Sequence, residues 1–155
     1  MAGSHGMTMP DTSMDADPVP ELAELSWRFD DGAFNRGDLS VVDALVHPSF
    51  TNHDPLPGQG TDREALRAYI PELRRAVPDL RCENQLILAQ GDLVAHVIVF
   101  SGTFRAPLGD MEPTGAPIRI RAHDFQRWKD NKMLERWSVA DTQGFPDPSP
   151  TASAT

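Results

Sequence analysis

Apolar positions recur every three or four residues in the first half of the chain and every second residue in the second half. Leu22, Leu25, Phe29 and Ala33 form one stripe at helical spacing, widened by Trp27 and Phe34. That spacing predicts a helix over residues 20–35. Asn35-Arg36-Gly37-Asp38 stops it, with Gly37 suited to the left-handed residue after a helix. Asp38 can then cap a short second helix over residues 39–45. His47-Pro48 breaks that helix, residues 49–53 read as extended, and residues 54–60 form a loop rich in Pro and Gly. Thr61 or Asp62 caps a third helix running to Val77. Its apolar side is Leu66, Tyr69, Ile70, Leu73 and Val77, and Pro71 is a candidate kink.

From Leu80 the period becomes two. Residues 80–89 and 93–103 flank the tight turn Gln90-Gly91-Asp92 and predict a hairpin. Val94, His96, Ile98 and Phe100 share one face of the second strand, and Ala95, Val97, Val99 and Ser101 the other. Both faces are largely apolar, so this strand is central. A loop punctuated by Pro107, Gly109, Pro113 and Gly115 leads to a second hairpin over residues 117–144, turning at Lys129-Asp130-Asn131-Lys132. It carries more polar residues than a core strand needs, Asp124, Gln126, Arg136, Ser138 and Asp141 among them. Such a hairpin either closes a buried, wet pocket or faces solvent at a sheet edge. Helices followed by an antiparallel sheet make an α+β pattern. Helices laid on one face of a curved sheet form a cone with an open mouth.

Composition narrows the function. The length of 155 residues suits one domain. Residues 1–7 read as an expression scar within an arm, 1–19, expected to be disordered, and residues 146–155 as a disordered Pro/Ser-rich tail. The folded unit is expected at 20–145. A net charge of −9 argues against binding nucleic acid or anionic lipid. One cysteine, Cys82, excludes an internal disulfide and a cysteine-rich metal site. No apolar run is long enough to span a bilayer and no signal peptide is visible, which leads to the expectation of a soluble cytoplasmic protein. The histidines lack metal-ligand spacing, and no phosphate-binding glycine loop stands out, so neither a metal nor another cofactor is expected.

Several motifs then line up in order. They are Ala33-Phe34-Asn35 with Asp38-Leu39, His47-Pro48-Ser49-Phe50-Thr51-Asn52-His53-Asp54, residues 58–61, Pro78-Asp79-Leu80 and Gly91-Asp92-Leu93-Val94-Ala95. Ser101-Gly102-Thr103, Pro113-Thr114-Gly115, Asp130-Asn131-Lys132-Met133 and Glu135-Arg136-Trp137 with Asp141 follow. In this order and spacing the chain resembles the SnoaL-like polyketide cyclase family, over about residues 22–144. The resemblance implies the nuclear-transport-factor-2-like cone: a curved antiparallel sheet and about three N-terminal helices enclosing a pocket. It also implies a small cofactor-free enzyme of antibiotic biosynthesis. The aldol cyclases of that family use a His, an Asp and a nearby Asn. Carried over by position, the Asn falls on Asn52, the His on Asp124 and the Asp on Ser138.

The register of the second hairpin decides which of these residues meet. A two-residue turn at Asp130-Asn131 sets Asp124 opposite Trp137. A three-residue loop, Lys129-Asp130-Asn131, sets it opposite Arg136 with Ser138 on the same side, and is preferred because it keeps the family's pair on one face. Asp124 is the first candidate for catalysis, as a carboxylate whose pKa an apolar cavity raises. The alternative is an inert ion pair with Arg136 or Arg121. Asn52 would orient a carbonyl or an enolate, or else bond its own turn. Ser138 would assist. His123 invites a dyad with Asp124, although neighbours on a strand face opposite ways. His53 and Arg136 are further candidates for substrate binding, while His96 reads as a core histidine. Trp27, Phe34, Phe50, Phe100, Met111 and Trp137 are candidate walls for an apolar, polyketide-like ligand.

The expected function is ring closure in a polyketide-derived intermediate, by folding the substrate with acid–base or hydrogen-bond assistance. With Ser138 at the aldol Asp position, a pericyclic, Diels–Alder-type closure becomes more credible. The alternatives are a non-catalytic binding or dimerisation module, and a hydroxylase component or epoxide hydrolase of the same fold. The apolar outer positions of the central strands lead to an expected homodimer through the sheet.

Overall fold

A computed structural model describes residues 21–145 apart from Pro57. The expected N-terminal arm and C-terminal tail lie outside the described residues. Helix α1, Leu22–Asp30, buries Leu25, Ser26, Phe29 and Asp30, a face at i, i+1, i+4 and i+5 spacing. It runs on into a π-helical turn, Asp31–Asn35, whose wider ring is closed by Arg36 N–H donating to the Asp31 carbonyl at 3.2 Å. Gly37, at φ +67°, ends it as expected. Helix α2, Ser40–Leu45, starts where the Asp38 carboxylate accepts from Ser40 N–H at 3.0 Å. Helix α3, Arg63–Ala76, is capped by Asp62, which accepts from Ala65 N–H at 2.8 Å, and continues through Pro71.

The strands are β1, Val46–Asn52, β2, Arg81–Gln90, β3, Leu93–Thr103, β4, Pro117–Lys129, and β5, Lys132–Gln143. They form one sheet in the order β1-β5-β4-β3-β2. β1 pairs parallel to β5, and the other pairs are antiparallel. β3 is interior, as its two apolar faces predict. The helices cover one face of the sheet, and the core lies between. This is the α+β cone of the nuclear-transport-factor-2-like fold.

The β4–β5 hairpin follows neither expected register. Its turn has two residues, Asp130 and Asn131, both with positive φ (54° and 58°), the geometry of a type I′ turn. Lys129 faces Lys132 and Trp128 faces Met133, but Arg127 faces Glu135. Leu134 is therefore an extra residue, a β-bulge. Beyond it Asp124 lies opposite Ser138, and Gln126 opposite Arg136. The bulge achieves what the three-residue loop was invoked for, with Asp124 and Ser138 on one face, but the partner across the strand is Ser138 and not Arg136.

Candidate active site

The inner face of β4 alternates without a break: Ile118, Ile120, Ala122, Asp124, Gln126 and Trp128 are buried. With Ile98 and Phe100 of β3 and Met133 and Arg136 of β5 beside it, three further regions complete a cavity. The end of α1 and the π turn bring Phe29, Asp30 and Phe34. α3 brings Leu66, Tyr69 and Leu73. β1 and the loop after it bring Phe50, Asn52, Leu56 and Gln59. The cavity between these groups has a volume of about 40 Å³. The site is narrow and closes tightly. Asn35 fixes the end of the π turn to β2, donating to the Cys82 carbonyl at 3.0 Å and accepting from Cys82 N–H at 2.8 Å. Both backbone groups of Cys82 are thereby tied to the turn that places Phe34.

Polar side chains gather on the sheet side of the cavity. Arg136 donates to Asp124 through Nε to Oδ2 at 3.1 Å and through Nη2 to Oδ1 at 3.3 Å, a two-pronged pair. His96 Nε2 lies 3.1 Å from Asp124 Oδ2. Gln126 Oε1 accepts from Ser26 Oγ at 2.8 Å and Trp128 Nε1 at 2.9 Å. Behind His96, its Nδ1 is 3.6 Å from Asp30 Oδ2. Asn52 donates to Gln59 Oε1 at 3.2 Å and accepts from Asp54 N–H at 3.1 Å. It therefore faces the cavity and also builds the turn that follows β1.

The electrostatics separate the two buried aspartates. Burial pushes the Asp124 carboxyl up, but the Arg136 charge and the His96 hydrogen bond outweigh it, with help from the Ser138 hydroxyl, and bring its pKa down to about 2. Asp124 is thus a fixed anion, and the expected raised pKa is corrected: its partners overcome desolvation. Asp30 has no such partner. Burial raises it to about 7, the His96 charge working against this and the Asp124 charge with it. Burial lowers the His96 pKa, while its hydrogen bond to Asp124 and the charges of Asp30 and Asp124 raise it more. Burial lifts the Tyr69 phenol to about 12, so it stays a neutral hydroxyl.

Of the residues singled out in the sequence, Asp124, Asn52, Arg136, Phe34, Phe50 and Phe100 line this cavity. Ser138 sits beside Asp124, half-buried, its N–H donating to Asp54 Oδ2 at 2.9 Å, but it is not on the cavity wall. Four expectations are corrected by placement on the outer side of the sheet. His123 is exposed on the outer face between Val97 and Val139, so it forms no dyad with Asp124. Trp137 stands opposite Phe125 on the same outer face. His53 stacks on Trp137 with ring centroids 4.9 Å apart, and its Nε2 meets Glu135 Oε1 at 3.2 Å, also outside. Arg121, weighed as a partner of Asp124, bonds Gln85 instead. Two further wall candidates lie elsewhere. Trp27 borders an open groove beside Asn35 and Cys82, because it points off the buried side of the helix that Ser26 and Asp30 share. Met111 packs on the core through the Leu108 bridge.

Asp30 is the cavity residue most easily missed in the sequence. Its signal is Ser26 and Asp30, four residues apart inside an apolar stripe, which puts two polar groups on the buried face of one helix. His96, on the inner face of β3, is buried as expected, yet its Nδ1 has no hydrogen-bond partner among the described residues. No group of three or more His, Cys, Asp or Glu among the described residues is arranged to hold a metal ion. No helix among them is long and apolar enough to cross a membrane.

A family model described as SnoaL-like polyketide cyclase matches residues 24–146. No curated protein sequence matches the chain. Among solved structures, wild-type IdmH, a candidate polyketide cyclase from Streptomyces antibioticus, is 26% identical at a TM-score of 0.66, covering 79% of this chain and 93% of its own. A candidate polyketide cyclase from Bacillus cereus is 25% identical at a TM-score of 0.64, covering 84% of this chain and 81% of its own. AclR, a candidate hydroxylase from Streptomyces galilaeus, is 23% identical at a TM-score of 0.65, covering 77% of this chain and 88% of its own. At that identity AclR supports the fold alone. With a family model spanning most of its length, the chain belongs to the SnoaL-like polyketide cyclase family.

Proposed function

We propose that the protein is a cofactor-independent cyclase that closes a ring in a polyketide-derived intermediate of antibiotic biosynthesis, in the cytoplasm. The observation that carries this reading is one narrow cavity with aromatic and aliphatic walls and a polar cluster on its sheet side. Apolar walls hold a flexible chain in a folded conformer, and bringing two reacting carbons together supplies much of the rate. Arg136 and Asn52 are placed to donate hydrogen bonds to a carbonyl in that conformer. Asp124 holds Arg136 in place and does not itself exchange protons. A pericyclic closure would need the shape and one such hydrogen bond; an aldol closure would need a base as well.

The experiment is deletion of the gene in its producing strain. The accumulated precursor should be acyclic at the missing ring, and the purified protein should close it with no added cofactor. An isomer of the precursor marks a pericyclic or simple aldol addition, and a product lighter by one water marks aldol condensation. A product heavier by one water would replace the proposal with the hydrolase reading. That reading draws on Asp30, Asp124, Arg136 and Asn52 lining the same cavity. Binding without turnover would leave the binding-module reading. Association is part of the proposal: Leu86, Leu88, Phe125 and Val139 stand exposed on the outer sheet face. A second copy packing there would cover them.

A further inference from the structure

Three buried polar atoms lack a hydrogen-bond partner among the described residues: Asp30 Oδ2, His96 Nδ1 and Arg136 Nη1. They belong to one cluster, and two of the three residues, Asp30 and Arg136, line the cavity. Unpartnered buried donors and acceptors are costly, so three in one cluster, two of them on residues of a cavity wall, call for an explanation. The surrounding bonds define what each can do. Trp128 Nε1 can only donate, so the Gln126 oxygen must face it, and the Gln126 amide nitrogen faces His96 Nε2 at 3.3 Å. Asp124, held ionised, can only accept. That alone puts a hydrogen on His96 Nε2, which donates it to Asp124, so the Gln126 amide nitrogen, itself a donor, makes no hydrogen bond to His96. That fixes the tautomer. A neutral His96 turns its Nδ1 lone pair toward Asp30, and a protonated one turns an N–H there. Asp30 and His96 thus contend for a single proton, while Arg136 Nη1 keeps a hydrogen free for a ligand.

We infer that Asp30 is the proton-transferring residue of this site, with His96 as its positioning partner, and that the substrate is an enolisable carbonyl compound whose oxygen is taken by Arg136 Nη1. The inference rests on the ring-closing reading above and deepens it. In the step, the Asp30 carboxylate removes a proton from the carbon next to the carbonyl. The electron pair of that C–H bond becomes the enolate, whose oxygen accepts from Arg136 Nη1. The enolate carbon then forms a C–C bond to a second carbonyl carbon, and the pair of that C=O goes to oxygen. The new alkoxide takes the proton back from Asp30, which returns to a carboxylate. No oxidant, reductant or external base is consumed. A carboxylic acid and carboxylate that interconvert near neutrality suit both halves of the step. The titratable and charged groups that face Asp30 are His96 from β3, Asp124 from β4, Arg136 from β5 and the Cys82 thiol from β2.

The test is solvent exchange of the α-protons of β-tetralone, followed by NMR in heavy water with the full chain. Wild type should exchange them faster than buffer, at a rate rising with pH through the neutral range as Asp30 loses its proton. Asp30→Asn should lower that rate by about a hundredfold or more. His96→Gln should retain exchange but move the midpoint of the pH profile, which a merely structural role would not do. If Asp30→Asn does not fold, Asp30→Ser replaces it. Wild-type exchange no faster than buffer, or exchange in both Asp30 variants at the wild-type rate, would overturn the inference. The two proposals fail separately. Asp30-dependent exchange without closure of the accumulated precursor sinks the cyclase reading alone. Closure by Asp30→Asn at the wild-type rate sinks the role of Asp30 alone and leaves a shape-driven, pericyclic cyclase.

Discussion

The two faces of the β4–β5 hairpin invert the pattern expected of a half-covered antiparallel sheet. The covered face carries Asp124, Gln126 and Arg136 among its apolar residues, while the open face carries Phe125 and Val139, 56% and 76% exposed. Such a sheet ordinarily puts apolar groups in and polar groups out. Each exception costs free energy, but the two costs are met differently. Inside, the Asp124 charge is offset within the chain by Arg136 and His96, and the Gln126 amide oxygen accepts from Ser26. Outside, nothing among the described residues covers the apolar patch. Under the proposals above the first exception serves chemistry and the second association, and substitutions on each face can separate them.

Arg136→Met should have the largest effect. It strands Asp124 as a buried carboxylate with only His96 to balance it, and breaking a buried pair in this way costs roughly 3–5 kcal/mol. Urea unfolding at neutral pH measures it. Replacing both partners, Asp124→Leu with Arg136→Met, should recover much of that loss, because two apolar groups leave no uncompensated charge. A double variant as unstable as the single one would mean that the inner face depends on packing that the apolar pair cannot reproduce.

Asp30→Asn should come next, with the opposite sign. In the folded protein the Asp30 carboxyl is raised from 3.8 to about 7. The unfolded chain therefore releases this proton first. The protonated group's contribution is complete below the unfolded value and is lost as pH rises through the folded one. Asparagine does not titrate. Asp30→Asn should therefore match the wild type in acid and exceed it above neutrality by on the order of a few kcal/mol. Melting temperatures taken across that range give the crossover. A site residue whose removal stabilises the fold is one kept for function.

Much of this inner face is legible in the sequence. The unbroken alternation from Ile118 to Trp128 is enough to place Asp124 and Gln126 on the inner side, and the helices announce their caps at Asp38 and Asp62. The register of β5 is not legible, because Met133 and Leu134 are both apolar. A strand with two adjacent apolar residues fits either parity, so nothing local marks Leu134 as the bulge. Size misleads as well. Trp27 and Trp137 are large enough to wall a pocket, but helix phase and strand parity send them elsewhere. The π turn has no local code. The spacing of Ser26 and Asp30 marks a polar pair on the buried helix face, but the approach of Asp30 to His96, far apart in the chain, is encoded by no local spacing.

On the outer face, Phe125→Lys should leave the chain folded and separate two copies into one, read as mass by light scattering. It puts a charge in the middle of the apolar patch without touching the cavity. A mass unchanged between wild type and variant would show that the patch is not the place where copies meet.

His123→Ala should have the smallest effect, and it tests the division of the faces most finely. His123 is adjacent to Asp124 in the chain, and a dyad between them is the natural first guess. Strand parity sets them on opposite sides of the sheet, His123 between Val97 and Val139 and exposed. An exposed substitution away from caps and buried networks changes stability by about 0.5 kcal/mol or less. Turnover per chain should therefore be unchanged, while the concentration at which two copies separate should shift, since His123 lies within the patch. A fall in turnover at a concentration where the copies remain together would mean that the outer face reaches the chemistry, and the separation of the two faces would not hold.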